Sequence, residues 1–157
     1  MIEVRLGLRN SLRIDASVYR IAPERNGWYR IDGLSTGPRR VRYELLHDRF
    51  RIESPVARLS VQFRMRRSGF EWGGRTYRIR PMILFKPIGR GLVLILSQEK
   101  PVAKGRLTVT GVRLDFVDPE LEPISAEIAL GLALRGQAYL DVLLSSGSGD
   151  YAFVMPP

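Results

Sequence analysis

The sequence predicts a mainly β fold, an antiparallel barrel or sandwich of about ten strands with one long apolar helix near the carboxyl end packed in or against it. Turn-forming residues recur about every 8 to 12 residues through the first 117 positions, a spacing typical of such folds. Between these turns apolar and polar residues alternate, whereas a helical period begins only near residue 120. One domain is therefore predicted over residues 1–157, with strands over about 1–117, a helix over about 120–145, and a flexible hinge and tail over 146–157.

The strand prediction is strongest between residues 40 and 80, where the side chains alternate with a period of two. Successive residues of a strand face opposite sides of the sheet, so one set points inward and the other outward. The inward set is apolar and comprises Val41, Tyr43, Leu45, Phe50, Ile52, Val61, Phe63, Met65, Tyr77 and Ile79. The outward set is dominated by Arg40, Arg42, Arg49, Arg51, Arg64, Arg66, Arg78 and Arg80.

The next two segments differ, because residues 82–85 and 92–96 are continuous apolar runs on either side of a Gly-Arg-Gly turn. Strands that have no polar face are usually covered on both sides. The cover is either the short apolar tail at 151–155 or the same hairpin of a second subunit. We favour a homodimer through residues 82–96, because the tail is too short to cover two strands.

Residues 124–145 carry the helical period. At 100° per residue, the polar residues of this segment fall within one arc: Glu127, Arg135, Gln137 and Asp141. Apolar residues occupy the rest of the circumference, so the helix is expected to be surrounded by protein. It is expected to open at Asp118-Pro119 or, alternatively, to begin later with Pro123 in its first position.

Positive charge is concentrated in the first half of the chain. Residues 1–80 hold 18 Lys and Arg residues against 8 acidic residues, whereas residues 81–157 hold 7 against 8. The formal net charge of +9 comes almost entirely from arginine, since the chain has only 3 lysines. An anionic partner is therefore expected to bind to the first half.

Several classes of protein are excluded by what the sequence lacks. Without cysteine, the chain has no disulfide, thiolate metal ligand or cysteine nucleophile. The amino terminus has no apolar run of signal-peptide length, and the apolar stretch 124–144 carries charges that are costly at bilayer depth. We expect a soluble cytoplasmic protein with no transmembrane segment, and we predict no cofactor or metal.

The strand series from Arg40 to Val117 is followed by a very apolar helix at residues 124–134. This layout resembles the tubby C-terminal-like superfamily, which includes the scramblases and the LURP-one-related proteins. In that superfamily a closed barrel wraps a hydrophobic helix, so the resemblance implies a barrel here. It also implies binding of anionic lipid or another anionic ligand rather than catalysis.

The arginines of the outward set form the candidate anion-binding site. They occur in pairs spaced by two, so both members leave the same face of a strand, and neighbouring strands about 4.8 Å apart would gather the pairs into one patch. Guanidinium groups bind phosphates through two parallel hydrogen bonds. The alternative is a solvated outer face in an arginine-rich protein, with nearby glutamates offsetting part of the charge.

We therefore expect a non-enzymatic module that binds a lipid headgroup or another polyanion, with peripheral membrane contact. Two alternatives stay open: a structural or assembly protein, and a nucleic-acid-binding protein. The aromatic rings between residues 43 and 77 are predicted to point inward, away from the arginines. That direction does not favour stacking on single-stranded nucleic acid, and nothing in the sequence favours sequence-specific readout.

No catalytic or metal-binding constellation is evident. His47, the single histidine, precedes Asp48 in a turn, and side chains of adjacent strand residues do not face each other. The one carboxylate cluster spans residues 115–122 at the predicted helix start, where acidic side chains are favoured by the helix dipole.

The homodimer can be tested by changing one side chain of the apolar hairpin. If Leu94 faces outward, Leu94→Glu is expected to give a folded monomer, because an unpaired charge is costly in an apolar interface. Size-exclusion chromatography with light scattering on both proteins measures the mass. A wild-type chain that is already monomeric at tens of micromolar would rule out the dimer and point to the tail.

Overall fold

The structure is a computed structural model that describes residues 1–34, 37–64, 67–80, 91–108 and 110–148. These residues form twelve strands and one α-helix. The strands are β1 (Ile2–Arg5), β2 (Ser11–Ile14), β3 (Ser17–Pro23), β4 (Trp28–Asp32), β5 (Arg39–Glu44), β6 (Arg49–Glu53), β7 (Arg58–Gln62), β8 (Gly69–Trp72), β9 (Arg75–Arg80), β10 (Gly91–Ser97), β11 (Lys100–Thr108) and β12 (Gly111–Val117). The helix is α1 (Glu122–Ser148), and short 3-10 helices lie at Arg25–Gly27 and Leu45–His47.

The strands close into one antiparallel barrel. Each strand pairs with its neighbours in the sequence, and β1 pairs with β12 to complete the ring. In that closing pair Ile2 lies opposite Leu114, and Arg5 lies opposite Gly111. The predicted mainly β, antiparallel architecture is thus confirmed, and of its two forms the structure has the barrel.

The described residues contain twelve strands, whereas the sequence predicted about ten. Short strands explain the difference, because β1, β2 and β8 have four residues each and show too little of the period-two pattern. One of the connecting turns also lacks a strong signal. Asp15 joins β2 to β3 with a positive φ of 52°, a conformation that aspartate adopts more readily than most residues.

The predicted inward side chains line the barrel lumen. Most of them are buried, namely Val41, Phe50, Ile52, Val61, Phe63, Tyr77 and Ile79. Tyr43 is half-buried. Leu45 is an exception, because β5 ends at Glu44 and Leu45 lies exposed in the following 3-10 helix, where the alternation no longer applies. Met65 lies outside the described residues.

Of the predicted apolar hairpin, only the second strand falls within the described residues, since 82–90 lie outside them. In β10 the side chains of Val93 and Ile95 are buried, whereas Leu92 is exposed and Leu94 is half-buried. The strand is therefore apolar on both faces, but within the described chain its outer face is left partly uncovered. The homodimer through residues 82–96 stays a prediction.

The first half of α1 runs through the lumen. Every residue from 124 to 135 is buried, which corresponds to about 18 Å of helix. The helix packs against β12, β1 and β2 and also against β5 and β6, which lie across the barrel from them. A barrel of twelve strands is wider than the eight-strand barrels that side chains alone can fill, so a helix fits inside it.

The start of α1 matches the later of the two predicted positions. The helix begins at Glu122, and Pro123 lies in its first turn. Residues 119–121 form a turn before it, in which the Asp118 carboxylate accepts a hydrogen bond from the Glu120 amide at 3.0 Å. Asp118-Pro119 therefore precedes the helix and does not open it.

The end of α1 lies beyond the predicted end near residue 145. The helix continues to Ser148, so residues 146–148, predicted to belong to the hinge, are helical. Adding a residue to an existing helix costs less free energy than nucleating a new helix, so the helical hydrogen bonds continue through Ser146, Gly147 and Ser148 although serine and glycine are weak helix formers. The rest of the predicted hinge and tail, 149–157, lies outside the described residues. No helix in the described part of the chain is long and apolar enough to cross a membrane.

Two glycines of α1 provide a test of how tightly the lumen is filled. A Cβ atom at Gly131 would overlap the ring of Phe50, whereas a Cβ at Gly136 would meet no atom within 4 Å. Gly131→Ala is expected to destabilise the protein by about 1–3 kcal/mol, because the ring must leave its site in a packed core. Gly136→Ala is expected to stabilise it by up to about 1 kcal/mol, through helix propensity. Chemical denaturation of both variants measures this, and equal effects would contradict the packing of α1 against β6.

Candidate functional site

The arginines of β5 and β6 lie together on the outside of the barrel. Arg42 is directly opposite Arg51, and both belong to a cross-strand row that begins at Trp28 of β4. The guanidinium carbon of Arg40 lies 4.7 Å from the centre of the Trp28 ring, and that of Arg51 lies 5.8 Å from it. Trp28 is buried even though it faces outward. With Arg49, four of the eight predicted anion-binding residues occupy this surface.

Acidic neighbours neutralise part of this surface. Arg40 contacts Glu53 at 2.9 Å and Glu24 at 3.7 Å, and Arg49 donates a hydrogen bond to Glu44. Such half-exposed pairs contribute little to stability, but they reduce the charge that a ligand would meet. The outer face of β5 and β6 therefore agrees in part with the alternative of a solvated face.

The other predicted arginines lie elsewhere. Arg64 is exposed in the turn after β7, and Arg78 and Arg80 are exposed on β9. β7 and β8 separate β9 from β6, a distance of about 14 Å at about 4.8 Å per strand. The structure therefore separates the described members of the predicted set and does not gather them into one patch. Arg66 lies outside the described residues.

A cavity opens between β7 and β8. In the described residues these strands pair at one position, Gln62 opposite Gly69, whereas β6 and β7 pair along the whole of both strands. The space has a volume of about 880 Å³, within the range of small-molecule sites. We call it the seam pocket. Its polar lining includes three arginines and three hydroxyl groups, from Arg58, Arg67, Arg78, Ser60, Ser68 and Thr76.

The turn before β8 holds the seam pocket in shape. The Ser68 hydroxyl accepts a hydrogen bond from the Arg64 amide at 3.1 Å and donates one to the Arg64 carbonyl at 3.0 Å. At the next residue, a Cβ atom on Gly69 would overlap the carbonyl oxygen of Tyr77, so only glycine lets β8 approach β9 this closely. The Ser68 contacts hold the turn that carries Arg67, and the glycine lets β8 lie close to β9.

The seam pocket has an excess of positive charge. Arg58 and Arg67 make no ion pair within the described residues. Arg78 contacts Glu99 at 3.2 Å, but both side chains are largely exposed, so that pair is weak. Glu71 is the acidic residue of the lining. Three guanidinium groups with adjacent hydroxyls are suited to binding a phosphate or a similar oxyanion.

A second polar cluster lies where α1 leaves the barrel. The carboxylate of Asp48 accepts hydrogen bonds from Arg135 Nε at 2.7 Å and Nη2 at 2.9 Å, from the Tyr43 hydroxyl at 2.7 Å and from the Tyr139 hydroxyl at 3.0 Å. The Arg135 guanidinium is buried and lies 4.0 Å from the centre of the Phe63 ring. The two carboxylate oxygens thus have two protein donors each, which gives this cluster a structural character.

The protonation states of Asp48, Tyr43 and Tyr139 follow from these contacts. Burial alone would raise the pKa of Asp48, but the hydrogen bonds from Arg135 and Tyr43 outweigh it and hold the pKa below its usual range. Burial and the nearby carboxylate raise the pKa of both tyrosines. The carboxylate therefore stays ionised and the phenols stay protonated at neutral pH, which keeps the cluster closed.

A buried charged pair lies inside the barrel, toward the end where α1 enters. The Arg39 Nη1 atom is 3.3 Å from both carboxylate oxygens of Glu127, whose side chain has no exposed surface, and 3.2 Å from the Pro123 carbonyl oxygen. Burial raises the pKa of Glu127, against the opposing effect of Arg39. Two residues of the polar arc predicted for the helix, Glu127 and Arg135, therefore face the barrel wall. β5 and the turn that follows it supply the opposite charges.

The sequence did not identify Arg39 and Asp48 as the partners of Glu127 and Arg135. Arg39 is two residues before Val41 and four before Tyr43 on the same strand, so the alternation already placed its side chain on the inner face. Asp48 has no comparable signal, because its direction depends on a positive φ of 46° at the end of a 3-10 helix. His47, its neighbour in the sequence, is exposed, so the two side chains do not act together.

Two of the carboxylates within residues 115–122 form ion pairs with different arginines. Asp115 pairs with Arg113 at 2.8 Å on β12. Glu120 contacts Arg75 at 2.6 Å and accepts a hydrogen bond from the Tyr77 hydroxyl at 3.0 Å. In the described residues, no group of three or more potential ligands is arranged to hold a metal ion.

No family model, curated protein or solved structure matches the chain. The geometry alone therefore carries the functional interpretation.

The Asp48 cluster gives a prediction of pH dependence. Because the folded-state pKa of Asp48 is lowered, its stabilisation is present above the unfolded-state value near 4 and is lost as the pH falls through the folded-state value. Asp48→Asn is expected to cost about 3 kcal/mol at neutral pH, since it leaves the buried Arg135 unpaired. The difference from wild type should shrink as the pH falls below about 4.

Denaturation across pH measures this difference. Asp141→Asn is the matched control, because Asp141 is exposed and is expected to change stability by less than about 0.5 kcal/mol. A loss of stability at Asp48→Asn that is the same at every pH would contradict an ionised carboxylate in the folded state.

Proposed function

We propose that the chain is a non-enzymatic module that binds an anionic ligand, a lipid headgroup or another polyanion, in the seam pocket. The observation that supports this most is the convergence of Arg58, Arg67 and Arg78 on one cavity. They come from β7, the following turn and β9, so a ligand would be held from three sides. Arg78 belongs to the set predicted from the sequence, and the other two arginines are added by the fold.

The chemistry of the lining favours an oxyanion. Each guanidinium can donate two parallel hydrogen bonds to a phosphate, and the hydroxyls of Ser60 and Thr76 can donate to further oxygens. Strand edges that pair only once also leave backbone amides available as donors. The outer arginines of β5 and β6 are a weaker candidate for the same ligand class, because carboxylates already engage two of them.

The architecture supports a likeness to the tubby C-terminal-like superfamily, in which a closed barrel surrounds a hydrophobic helix. The lumen of this barrel holds twelve consecutive buried residues of α1, from 124 to 135. We propose this relationship from the layout of the fold, and no position here is matched to that superfamily's phosphoinositide-binding residues. The implied ligand class, anionic lipid, agrees with the arginines of the seam pocket.

The seam pocket is tested by removing its positive charge. The triple change Arg58→Ala, Arg67→Ala and Arg78→Ala is expected to weaken binding of inositol hexakisphosphate by about a hundredfold or more, because hydrogen bonds to charged groups contribute about 1.5–3 kcal/mol each. All three side chains are exposed, so the fold should persist. Isothermal titration calorimetry measures the affinity, and circular dichroism checks folding.

The matched control is Arg13→Ala, Arg20→Ala and Arg106→Ala, which removes the same charge from exposed positions on β2, β3 and β11. Equal loss in both triple variants would mean that net charge, and not the pocket, binds the anion. A wild-type chain that does not bind the polyphosphate would contradict the proposed function and favour a structural or assembly role. Binding of duplex DNA with a steep salt dependence, but not of the polyphosphate, would favour the nucleic-acid alternative.

A further inference from the structure

The end of the barrel where α1 emerges has a composition of its own. The strand directions place the β1–β2, β3–β4, β5–β6 and β7–β8 connections at this end. Backbone hydrogen bonds link them to each other and to the β11–β12 connection at the same end. The Phe63 amide donates to the Asp48 carbonyl at 3.0 Å, and the Leu6 amide donates to the Thr110 carbonyl at 2.7 Å. We call residues 6–10, 24–27, 45–48 and 63–64, together with residues 141–145 of α1, the exit rim.

Exposed aliphatic side chains are concentrated at the exit rim. Leu8 and Leu46 are the most exposed large hydrophobic residues in the described chain, at 107% and 95%. Leu45, Val142 and Leu144 are also exposed there, and Leu92 lies at the same end of β10. Single exposed aliphatics are ordinary, but several around one end of a barrel indicate an interaction surface. At the opposite end, Val18, Val56 and Phe116 are the exposed counterparts.

Arginines without an ion pair in the described chain are a second feature of the exit rim. Arg9, Arg25 and Arg64 are exposed at the exit rim and make no ion pair within the described residues. The carboxylates at this end are mostly engaged, since Glu24 contacts Arg30 at 2.6 Å and Asp48 binds Arg135, although Asp141 is exposed. At the opposite end, Asp15, Glu53, Glu99 and Glu120 are paired with the amino terminus, Arg40, Arg78 and Arg75, and Glu122 is exposed. Arg58 and Lys100 are exposed there and make no ion pair within the described residues.

We propose that the exit rim docks the protein on an anionic phospholipid bilayer, with Leu8 and Leu46 entering the boundary between headgroups and acyl chains. Arg9, Arg25 and Arg64 would then lie at the level of the lipid phosphates, and the opposite end of the barrel would face away from the membrane. A bilayer supplies both an apolar layer and negative charge. A second copy docked through the same rim would instead place these arginines against each other. The inference goes beyond the proposed function, because the residues it uses do not line the seam pocket.

Co-sedimentation with phosphatidylcholine vesicles, with and without phosphatidylserine, tests the docking. Wild type is expected to bind in the presence of phosphatidylserine. Leu8→Glu with Leu46→Glu should lower the partition coefficient by about tenfold or more, because both apolar area and net charge are lost. Val18→Glu with Val56→Glu makes the same chemical change at the opposite end and should leave binding within about twofold of wild type. Arg9→Ala alone should lower it by about fivefold.

A direct measurement of insertion is available because the chain has no cysteine. Leu46→Cys and Val56→Cys can each carry a single environment-sensitive fluorophore. The emission of the label at 46 should shift to the blue on anionic vesicles, and that of the label at 56 should not. Equal shifts at both positions would overturn the proposed orientation.

Other outcomes are equally decisive. Wild type that ignores anionic vesicles, or vesicle binding that is equal for the rim and control variants, overturns the docking. A wild-type dimer that Leu8→Glu with Leu46→Glu makes monomeric would assign the rim to a second copy. Failure of the proposed function is recognised separately, because it appears as absent binding of free inositol hexakisphosphate while vesicle binding by the rim persists.

Discussion

The width of the barrel is the constraint on which the rest of the structure depends. Side chains alone can fill the interior of about eight strands, and the interior of twelve needs something larger. Twelve consecutive buried residues of α1 supply it. The helix must then be apolar on every side, must approach β6 through Gly131, and must find partners for any charge that it carries into the lumen.

The two buried charges of α1 give the helix one position along the barrel. Glu127 pairs with Arg39 at the start of β5. Eight residues later along the helix, Arg135 pairs with Asp48, which lies beyond the end of β5. Buried ion pairs add little net stability over apolar packing, but removing one partner is costly. A helix that slid or rotated in the lumen would break both pairs at once. An otherwise uniform apolar surface would define that position poorly, so we attribute register more than stability to these pairs.

The alternation of the strands was predictable because it depends on residue type alone, and it correctly separated Val41 and Ile79 from Arg40 and Arg80. The helix was predictable for the same reason. The seam pocket was not predictable. It depends on β8 lying close to β9 at Gly69 and pairing with β7 at only one position, and the alternation of side chains along a strand does not determine how closely the strand approaches each neighbour. The separation of the arginines likewise depends on how many strands lie between them around the barrel, and the period-two spacing of the arginines within a strand does not give that number.

The helix links the interior of the barrel to its surface chemistry. Inside the lumen, apolar residues on all sides of α1 are required by packing. Beyond the lumen the same character continues at Val142 and Leu144, where the described chain does not cover it. Packing does not require exposed aliphatics there, and a solvated helix end would be expected to become polar. The proposed docking on a bilayer accounts for apolar residues at this end, and Leu8 and Leu46, whose side chains lie outside the core cluster, present the same chemistry from the strand connections.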